Sequence, residues 1–279
     1  MASFINTNMA ALNTQRNLSA SQAALSTSIQ RLSSGMRVNS AKDDAAGMAI
    51  ASRMETMIKG QTVAMRNAND AISFSQTAEG ALSKIGDNLQ RMRELAVQSA
   101  NGSNSADDRT SLDTEFQQLQ DEVSRITGNT KFNGIKVLGP VVATGVTFQI
   151  GENSTTNDQI TVSGADLTNV ASKTAIAAAY TGITTQADAQ GALTAIDDAL
   201  KEVNTESIKH GATQNRFSAV ISTLQVSVEN QTAARSRIMD TDFASETATM
   251  ARGQILQQAG MAMLAQANQL PNGVMALLR

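Results

Sequence analysis

Apolar residues near the start of the chain recur every seven positions, at Ala11, Leu18, Leu25 and Leu32. This spacing places the side chains on one stripe of a helix, where they can pack against a second helix. Gly35 follows the stripe as a candidate C-cap within the turn-favouring stretch "SSGMRVNS". The pattern predicts a first helix ending near Gly35, and Ser40 with Asp43 predicts a capping box that opens the next helix.

The second helical pattern is much longer and changes register near Ser75, where the repeat is locally irregular. Its first register contains Met54, Ile58, Met65, Ala68 and Ile72. Its second register contains Ala78, Leu82, Ile85, Leu89, Met92 and Ala96. The polar stretch "NGSNSADD" then breaks the helix, and Ser105 with Asp108 predicts a capping box for a third helix that ends at Gly128.

The middle of the chain has a different pattern. "KFNGIKVL" contains an Asn-Gly turn signal, while "VTFQIG" and "QITVSG" have the alternation typical of strands. The Thr- and Ala-rich stretch from Ala165 to about Ala189 has no register, and we expect a loop there. A helical pattern returns at Leu193, and "RSRIMDTDF" predicts a bend before a final helix.

The final helix carries a second heptad stripe, at Leu256, Gly260, Met263, Ala267, Leu270, Val274 and Leu277. Helices gain most of their stability by burying such a stripe, and each buried Leu or Met contributes roughly 1.5–3 kcal/mol. The two terminal helices could pair by an antiparallel return, but two thin helices cannot cover both stripes fully. The remaining apolar surface predicts packing against further copies of the same chain.

These patterns predict a mainly α fold: a long antiparallel helical bundle or coiled coil, with a small β-hairpin region between the N- and C-terminal helical halves. The composition agrees, because aromatic residues make up only 3% of the 279 residues and Met occurs thirteen times. Few aromatic side chains favour thin helix-to-helix seams over a thick interior. Only two Pro residues occur, which permits long helices.

Charge and residue content argue against several functions. The net charge is −3 with dispersed Lys and Arg, so we expect no nucleic-acid partner. No apolar run reaches about 18 residues, so we expect no membrane span. The N-terminus lacks the pattern of a secretory signal, which by itself predicts a cytosolic protein.

We also expect no catalytic, cofactor or metal site. Cysteine is absent, and the single histidine, His210, has no second histidine to complete a metal motif, so a structural or solvent-facing role is expected. The Asp residues of "KDD" (42–44) favour a helix start more than a metal site. A soluble enzyme or a signalling coiled coil is the alternative from a different class.

Long motifs at both ends of the chain closely resemble bacterial flagellin. They are "LSSGMRVNSAKDDAAGMAIASRM", "QRMRELAVQSANG", "QNRF" and "ARSRIMDTDFASETATMARGQILQQAGMAMLAQANQLPNGVMALLR". The resemblance implies an inner core domain of residues 1–42 and 239–279 and an outer core domain of residues 43–164 and 190–238. A short linker, 165–189, would stand in place of the variable outer domains.

The resemblance also implies a function and partners. Flagellins assemble into a helical filament for motility and leave the cell through the flagellar type III export apparatus, so the expected location is extracellular. Expected partners are copies of the chain, an export chaperone, and the filament cap and hook-associated proteins. The polymerisation seam would comprise Leu18, Leu25, Leu32, Leu256, Met263, Leu270 and Leu277. A hook–filament junction protein of the same family is the alternative.

By motif match, two groups of residues resemble surfaces sensed by animal hosts. Arg91, Leu95 and Gln98, with Glu115 on the following helix, correspond to the surface bound by a toll-like receptor, and their spacing predicts one exposed helix face. In the family this surface overlaps the polymerisation surface. The stretch read by cytosolic innate sensors corresponds to Val274, Leu277, Leu278 and Arg279.

Overall fold

The computed structural model describes residues 7–138, 145–163 and 182–276, with side chains as far as Gln269. These residues form five α-helices: α1 (Met9–Ser34), α2 (Ala45–Ser99), α3 (Ala106–Asn129), α4 (Gln186–Met239) and α5 (Phe243–Ala276). Four short strands lie between α3 and α4: β1 (Lys131–Phe132), β2 (Ile135–Lys136), β3 (Val146–Gln149) and β4 (Gln159–Val162). The predicted fold class is confirmed.

The chain divides into two compact units. The terminal unit comprises Met1–Thr56 and Glu229–Arg279, and the central unit comprises Met57–Val228. Both boundaries fall inside long helices, α2 and α4. The expected domain bounds at residues 42 and 239 follow breaks between helices instead, and as domains of an assembled protein they stay a prediction.

Two of the predicted helix ends are confirmed. Gly35 caps α1 with a φ of 70°, a left-handed conformation that costs a residue with a side chain more than it costs glycine. Ser105 and Asp108 form a reciprocal capping box at the start of α3.

The expected capping box of Ser40 and Asp43 is wrong as a helix start. The Asp43 carboxylate accepts hydrogen bonds from the backbone N–H groups of Asn39 and Ser40 and from the Ser40 hydroxyl, which closes a turn. These bonds to Ser40 and Asn39 lower the pKa of Asp43 below its usual value. The helix begins only at Ala45, and the Asp44 carboxylate accepts from the Gly47 N–H at 2.8 Å. Asp44 therefore stabilises the start of the helix.

The bend expected between the last two helices is confirmed. α4 ends at Met239, and the Asp242 carboxylate accepts from the Ala244 N–H at 3.0 Å to open α5. The loop after α1 is tied to this break, because Met36 bridges to Asp240 and the Thr241 N–H donates to the Gly35 carbonyl at 2.9 Å.

Both predicted hairpins are confirmed. β1 pairs with β2 around Asn133–Gly134, and β3 pairs with β4 in a register that joins Val146 to Val162 and Phe148 to Ile160. The predicted loop before α4 is partly wrong, because α4 begins at Gln186 rather than Leu193. A Thr185 hydroxyl that accepts from the Asp188 N–H at 3.1 Å explains the earlier start. Residues 165–181 of that stretch lie outside the described residues.

The core of the central unit is built by α2, α3, α4 and the hairpins. Its largest fully buried side chains include Phe74, Leu82, Ile85, Leu89, Met92, Ile196 and Phe217. Aromatic rings meet edge to face here: Phe148 lies 5.8 Å from Phe74 and 5.9 Å from Phe217, measured between ring centroids. Four phenylalanines, including Phe132, are thus gathered where the hairpins meet the helices.

The chain enters α4 through a fixed point at Gly182 and Ile183. The buried Asp113 carboxylate of α3 accepts from the Ile183 N–H at 2.6 Å, and the Ser99 hydroxyl of α2 donates to the Ile183 carbonyl. Gly182 has a φ of 128°, and a Cβ there would lie 2.2 Å from the Asp113 Oδ1 atom. Only glycine fits this position.

Candidate functional site

The first candidate surface is the pair formed by α1 and α5 in the terminal unit. Leu25 faces Gly253 and Leu18 faces Gly260, and the Asn8 side-chain amide donates to the Ala267 carbonyl at 2.8 Å. Residue numbers rise along one helix as they fall along the other, so the two helices are antiparallel. A Cβ on Gly260 would lie only 3.1 Å from Leu18 Cδ1, and glycine therefore permits the close approach.

The heptad stripe of α5 divides into covered and uncovered members. Gly260 and Ala267 face α1, and Ala267 is buried. Leu256 and Met263 are 51% and 61% exposed. Each lies three residues after a glycine that contacts α1, which turns its side chain about 60° away from the contact. Two of the four stripe residues whose side chains the structure describes are therefore more than half exposed.

Further apolar side chains are exposed on the other sides of α5. Ile255 is 66% exposed and Met261 is 51% exposed, and neither belongs to the heptad stripe. The sequence prediction missed them because it followed one periodicity only. Their signal was the presence of large apolar residues between the heptad positions, which places apolar side chains on more than one side of this helix.

The seam residues of α1 lie differently from those of α5. Leu18, Leu25 and Leu32 are each partly buried, with Leu18 and Leu25 against the glycines of α5. The side chains of Leu270 and Val274, and residues 277–279 altogether, lie outside the described residues. The structure therefore says nothing about those members of the seam or about the motif of the cytosolic sensors.

The second candidate surface lies in the central unit, where α3 folds back along α2. The Arg91 guanidinium donates from Nε to Glu115 Oε1 and from Nη1 to Glu94 Oε2, both at 2.9 Å. The hydrogen bonds that Arg91 donates to Glu115 and, to a lesser degree, to Glu94 raise the pKa of Arg91 above its usual value. About half of the Arg91 and Glu115 side chains is exposed. Two predicted receptor residues are thus brought together, and Gln98 is also exposed.

The expectation that Leu95 is exposed is wrong for the single chain. Leu95 is 1% exposed and belongs to the core of the central unit. Helical spacing placed Leu95 on the side of Arg91 and Gln98, but packing within the core of the central unit buries it. The α2 face therefore presents polar side chains at its surface and an apolar residue beneath them.

A neighbouring ion pair was not predicted. Arg93 of α2 donates from Nε to Asp197 Oδ1 of α4 at 2.7 Å, and the hydrogen bond raises the pKa of Arg93 while it lowers the pKa of Asp197. Both side chains are about half exposed, so solvent screening keeps the contribution to stability small. Such a pair between distant parts of the chain has no local sequence signal.

The single histidine is neither solvent-facing nor hydrogen-bonded. His210 is 1% exposed in the central unit, and within the described residues neither imidazole nitrogen has a hydrogen-bond partner. Burial lowers the pKa of His210 below its usual value, and the charge of Lys209 adds to this, while Glu206 of α4 and Glu79 of α2 oppose it. Because no three His, Asp or Glu side chains of the described residues gather as metal ligands, no metal site is indicated there.

We expect this histidine to make the central unit less stable at mildly acidic pH. Its folded-state pKa lies below the unfolded value of about 6.5, so the unfolded chain binds the proton more readily. The free energy of unfolding should therefore fall as the pH drops from 7 through 6.5 towards the folded-state pKa, by at most about 1.4 kcal/mol per pH unit. Urea unfolding monitored by circular dichroism at pH 7.5, 6.5 and 5.5 measures this change in the free energy of unfolding.

His210→Leu provides the control for that measurement. It removes the only histidine and two unpaired buried nitrogens, so the free energy of unfolding should rise at pH 7.5 by about 1 kcal/mol or more. Its dependence on pH between 7.5 and 5.5 should become flat. An unchanged pH dependence in this variant would assign the effect to other groups.

Comparison with known proteins identifies the family. The profile of the bacterial flagellin N-terminal helical region matches residues 5–142, and that of the bacterial flagellin C-terminal helical region matches residues 193–278. Across the described residues, no helix has both the length and the apolar content needed to cross a membrane.

Full-length relatives agree with the two profiles. Flagellin of Halalkalibacterium halodurans is 46% identical over 275 residues, covering 99% of each chain. Flagellin of Xenorhabdus nematophila is 46% identical over 316 residues, covering all of both chains. The crystal structure of Bacillus cereus flagellin superposes with a TM-score of 0.50 at 34% identity, covering 57% of this chain and 88% of that one. The chain therefore belongs to the bacterial flagellin family of structural proteins.

Proposed function

We propose that this chain is the polymerising subunit of the extracellular flagellar filament and that α1 and α5 carry the contacts between subunits. This proposal rests on the large apolar side chains that α5 exposes away from its contact with α1. Leu256, Met263, Ile255 and Met261 are all at least half exposed. Exposed apolar surface of this extent marks a site of protein contact.

Additional copies of the same chain are the partners that fit this surface. Leu256 and Met263 lie seven residues apart, the spacing with which helices pack side by side. α1 supplies a second partly buried stripe, at Leu18, Leu25 and Leu32, that another helix can cover from the side. Leu270 and Leu277 continue the register of Leu256 and Met263 towards the chain end, and we assign them to the same seam.

Seeded growth tests this proposal. Purified monomer is added to short sheared fragments of its own filament, and lengths are measured by electron microscopy. Extension into long filaments is the expected result. Addition of a short, terminating segment would favour the hook–filament junction alternative, and failure to add at all would overturn both.

The same apolar helix supports a proposal about export. A small helical chaperone could cover the exposed side chains of α5 before the chain leaves the cell, and the filament cap and hook-associated proteins would contact the subunit outside. Co-purification of the chain with its chaperone, and loss of the complex in Leu256→Asp, would test the first contact.

We also propose that an animal toll-like receptor recognises the face of α2 around Arg91, Gln98 and Glu115. The Arg91–Glu115 ion pair holds two of these side chains in one orientation while leaving about half of each exposed. Arg residues at the centre of a contact are frequent binding hot spots. Leu95 lies beneath this face and supports it by packing.

Arg91→Ala should weaken activation of the receptor by monomer about tenfold or more, because hot-spot truncations typically cost upward of 1–2 kcal/mol. Receptor reporter assays with purified monomer measure the effect. Arg125→Ala is the matched control, since Arg125 also pairs with a glutamate, Glu122, at an exposed position of the same unit. Equal activity of Arg91→Ala and the parent protein would contradict the assignment.

A further inference from the structure

The exposed methionines concentrate on the terminal helices. Among the described residues, the three most exposed are Met9 at 66%, Met263 at 61% and Met261 at 51%, on α1 and α5. Met57 follows at 38%, and Met92 of the central unit is fully buried. Met261 and Met263 are two residues apart, so their side chains point to nearly opposite sides of α5.

Methionine is the main target for mild oxidants in this chain. Cysteine and tryptophan are both absent from the sequence, so no thiol or indole competes for peroxide. A thioether sulfur attacks one oxygen of hydrogen peroxide, the O–O bond breaks, and the products are methionine sulfoxide and water. The sulfur loses two electrons and the peroxide gains them. Accessible thioethers react first, and the structure exposes those of α5.

We propose that Met261 and Met263 form a peroxide-sensitive modification site that controls whether a subunit can join a polymer. The inference rests on the proposed function. Oxidation replaces a flexible apolar side chain by a polar one with a strong hydrogen-bond acceptor. Buried between helices without a donor, that oxygen disfavours packing. An oxidised subunit is therefore excluded from growth, whereas a subunit already packed in a filament has its two thioethers covered.

The position of the two residues makes the site effective. Met263 lies in the uncovered half of the heptad stripe, one turn beyond Gly260, which contacts Leu18. Met261 lies on another side of the same helix. Oxidation of both residues therefore places a polar group on two sides of α5. The glycine contacts between α5 and α1 are not changed.

The test treats monomer and filament separately with hydrogen peroxide and locates the added oxygen by fragmentation mass spectrometry. In the monomer, Met261 and Met263 should be oxidised well before Met92, and in the filament they should be protected. Seeded growth of oxidised monomer should slow at least about tenfold. Treatment of the oxidised monomer with methionine sulfoxide reductases should restore the rate of seeded growth.

A double variant, Met261→Leu with Met263→Leu, separates this site from the remaining methionines. It should grow filaments before and after peroxide at the same rate, whereas Met9→Leu should stay as sensitive as the parent. The inference is overturned if oxidised parent subunits grow normally or if the double variant loses growth on oxidation. Failure of untreated parent subunits to extend seeds would instead overturn the proposed function and, with it, this inference.

Discussion

Met263→Asp is expected to abolish filament growth while leaving the isolated subunit folded. The side chain is 61% exposed in the single chain, so a carboxylate there remains solvated and costs the monomer little. In a packed seam the same carboxylate loses its water without gaining a partner, and burying an unpaired charge is among the most costly substitutions. Growth from seeds, measured by electron microscopy and sedimentation, should become undetectable.

Two measurements make this result specific. Circular dichroism of the Met263→Asp monomer should match that of the parent, which shows that the helices persist. Met263→Leu keeps an apolar side chain of similar volume at the same position, and its filaments should grow at close to the parental rate. Filaments of normal length from Met263→Asp would show that this side of α5 stays in solvent after assembly.

Phe74→Ala is expected to have the largest effect on stability. Phe74 is 1% exposed, and its ring meets Phe132 and Phe148 edge to face with centroids 6.0 and 5.8 Å away. Truncation leaves a cavity where two hairpins meet α2 and removes both ring contacts. The free energy of unfolding of the central unit should fall by about 3–5 kcal/mol, measured by urea denaturation.

Phe243→Ala is the matched control for that experiment. Phe243 opens α5 and is 62% exposed, so the same truncation removes little buried area. Its free energy of unfolding should stay within about 0.5 kcal/mol of the parent. Similar losses in both variants would mean that the aromatic contacts of Phe74 are not the cause.

The elements of the fold were predictable wherever the determining interaction is local. The capping box of Ser105 and Asp108 involves residues three apart, and the turn at Asn133–Gly134 is set by two adjacent residues. The heptads of α1 and α5 likewise identify helices before any partner is known. Such signals lie within one or two turns of chain, where sequence spacing converts directly into geometry.

The covered sides of these helices were harder to predict because they depend on distant residues. Leu95 shares its spacing with Arg91 and Gln98, but it is buried in a core to which several distant elements contribute. In α5, the glycines that meet Leu18 and Leu25 select which part of the heptad is covered. Periodicity predicts which face of a helix is apolar, whereas the tertiary arrangement determines which element packs against that face.

His210 shows a third kind of limit. The sequence left both a structural and a solvent-facing role open for this residue, and the structure buries it with both nitrogens unpaired. Local rules favour neither outcome, since a polar residue in a core is a conflict that the rest of the packing outweighs. Because burial lowers the pKa of this histidine, the same position also contributes to the pH dependence of stability.

The fixed point before α4 has a consequence for how this architecture can vary. Asp113 and Ser99 hold Ile183 by its backbone groups, and β4 is paired with β3 up to Val162. The residues on either side of the intervening sequence are thus held by backbone hydrogen bonds that do not involve the sequence between them. Lengthening a connection adds only about 0.6 kcal/mol for each doubling of its length. The central unit is therefore suited to insertions between β4 and α4. Peptides or whole domains can be added there without changing the contacts that hold the two flanking segments.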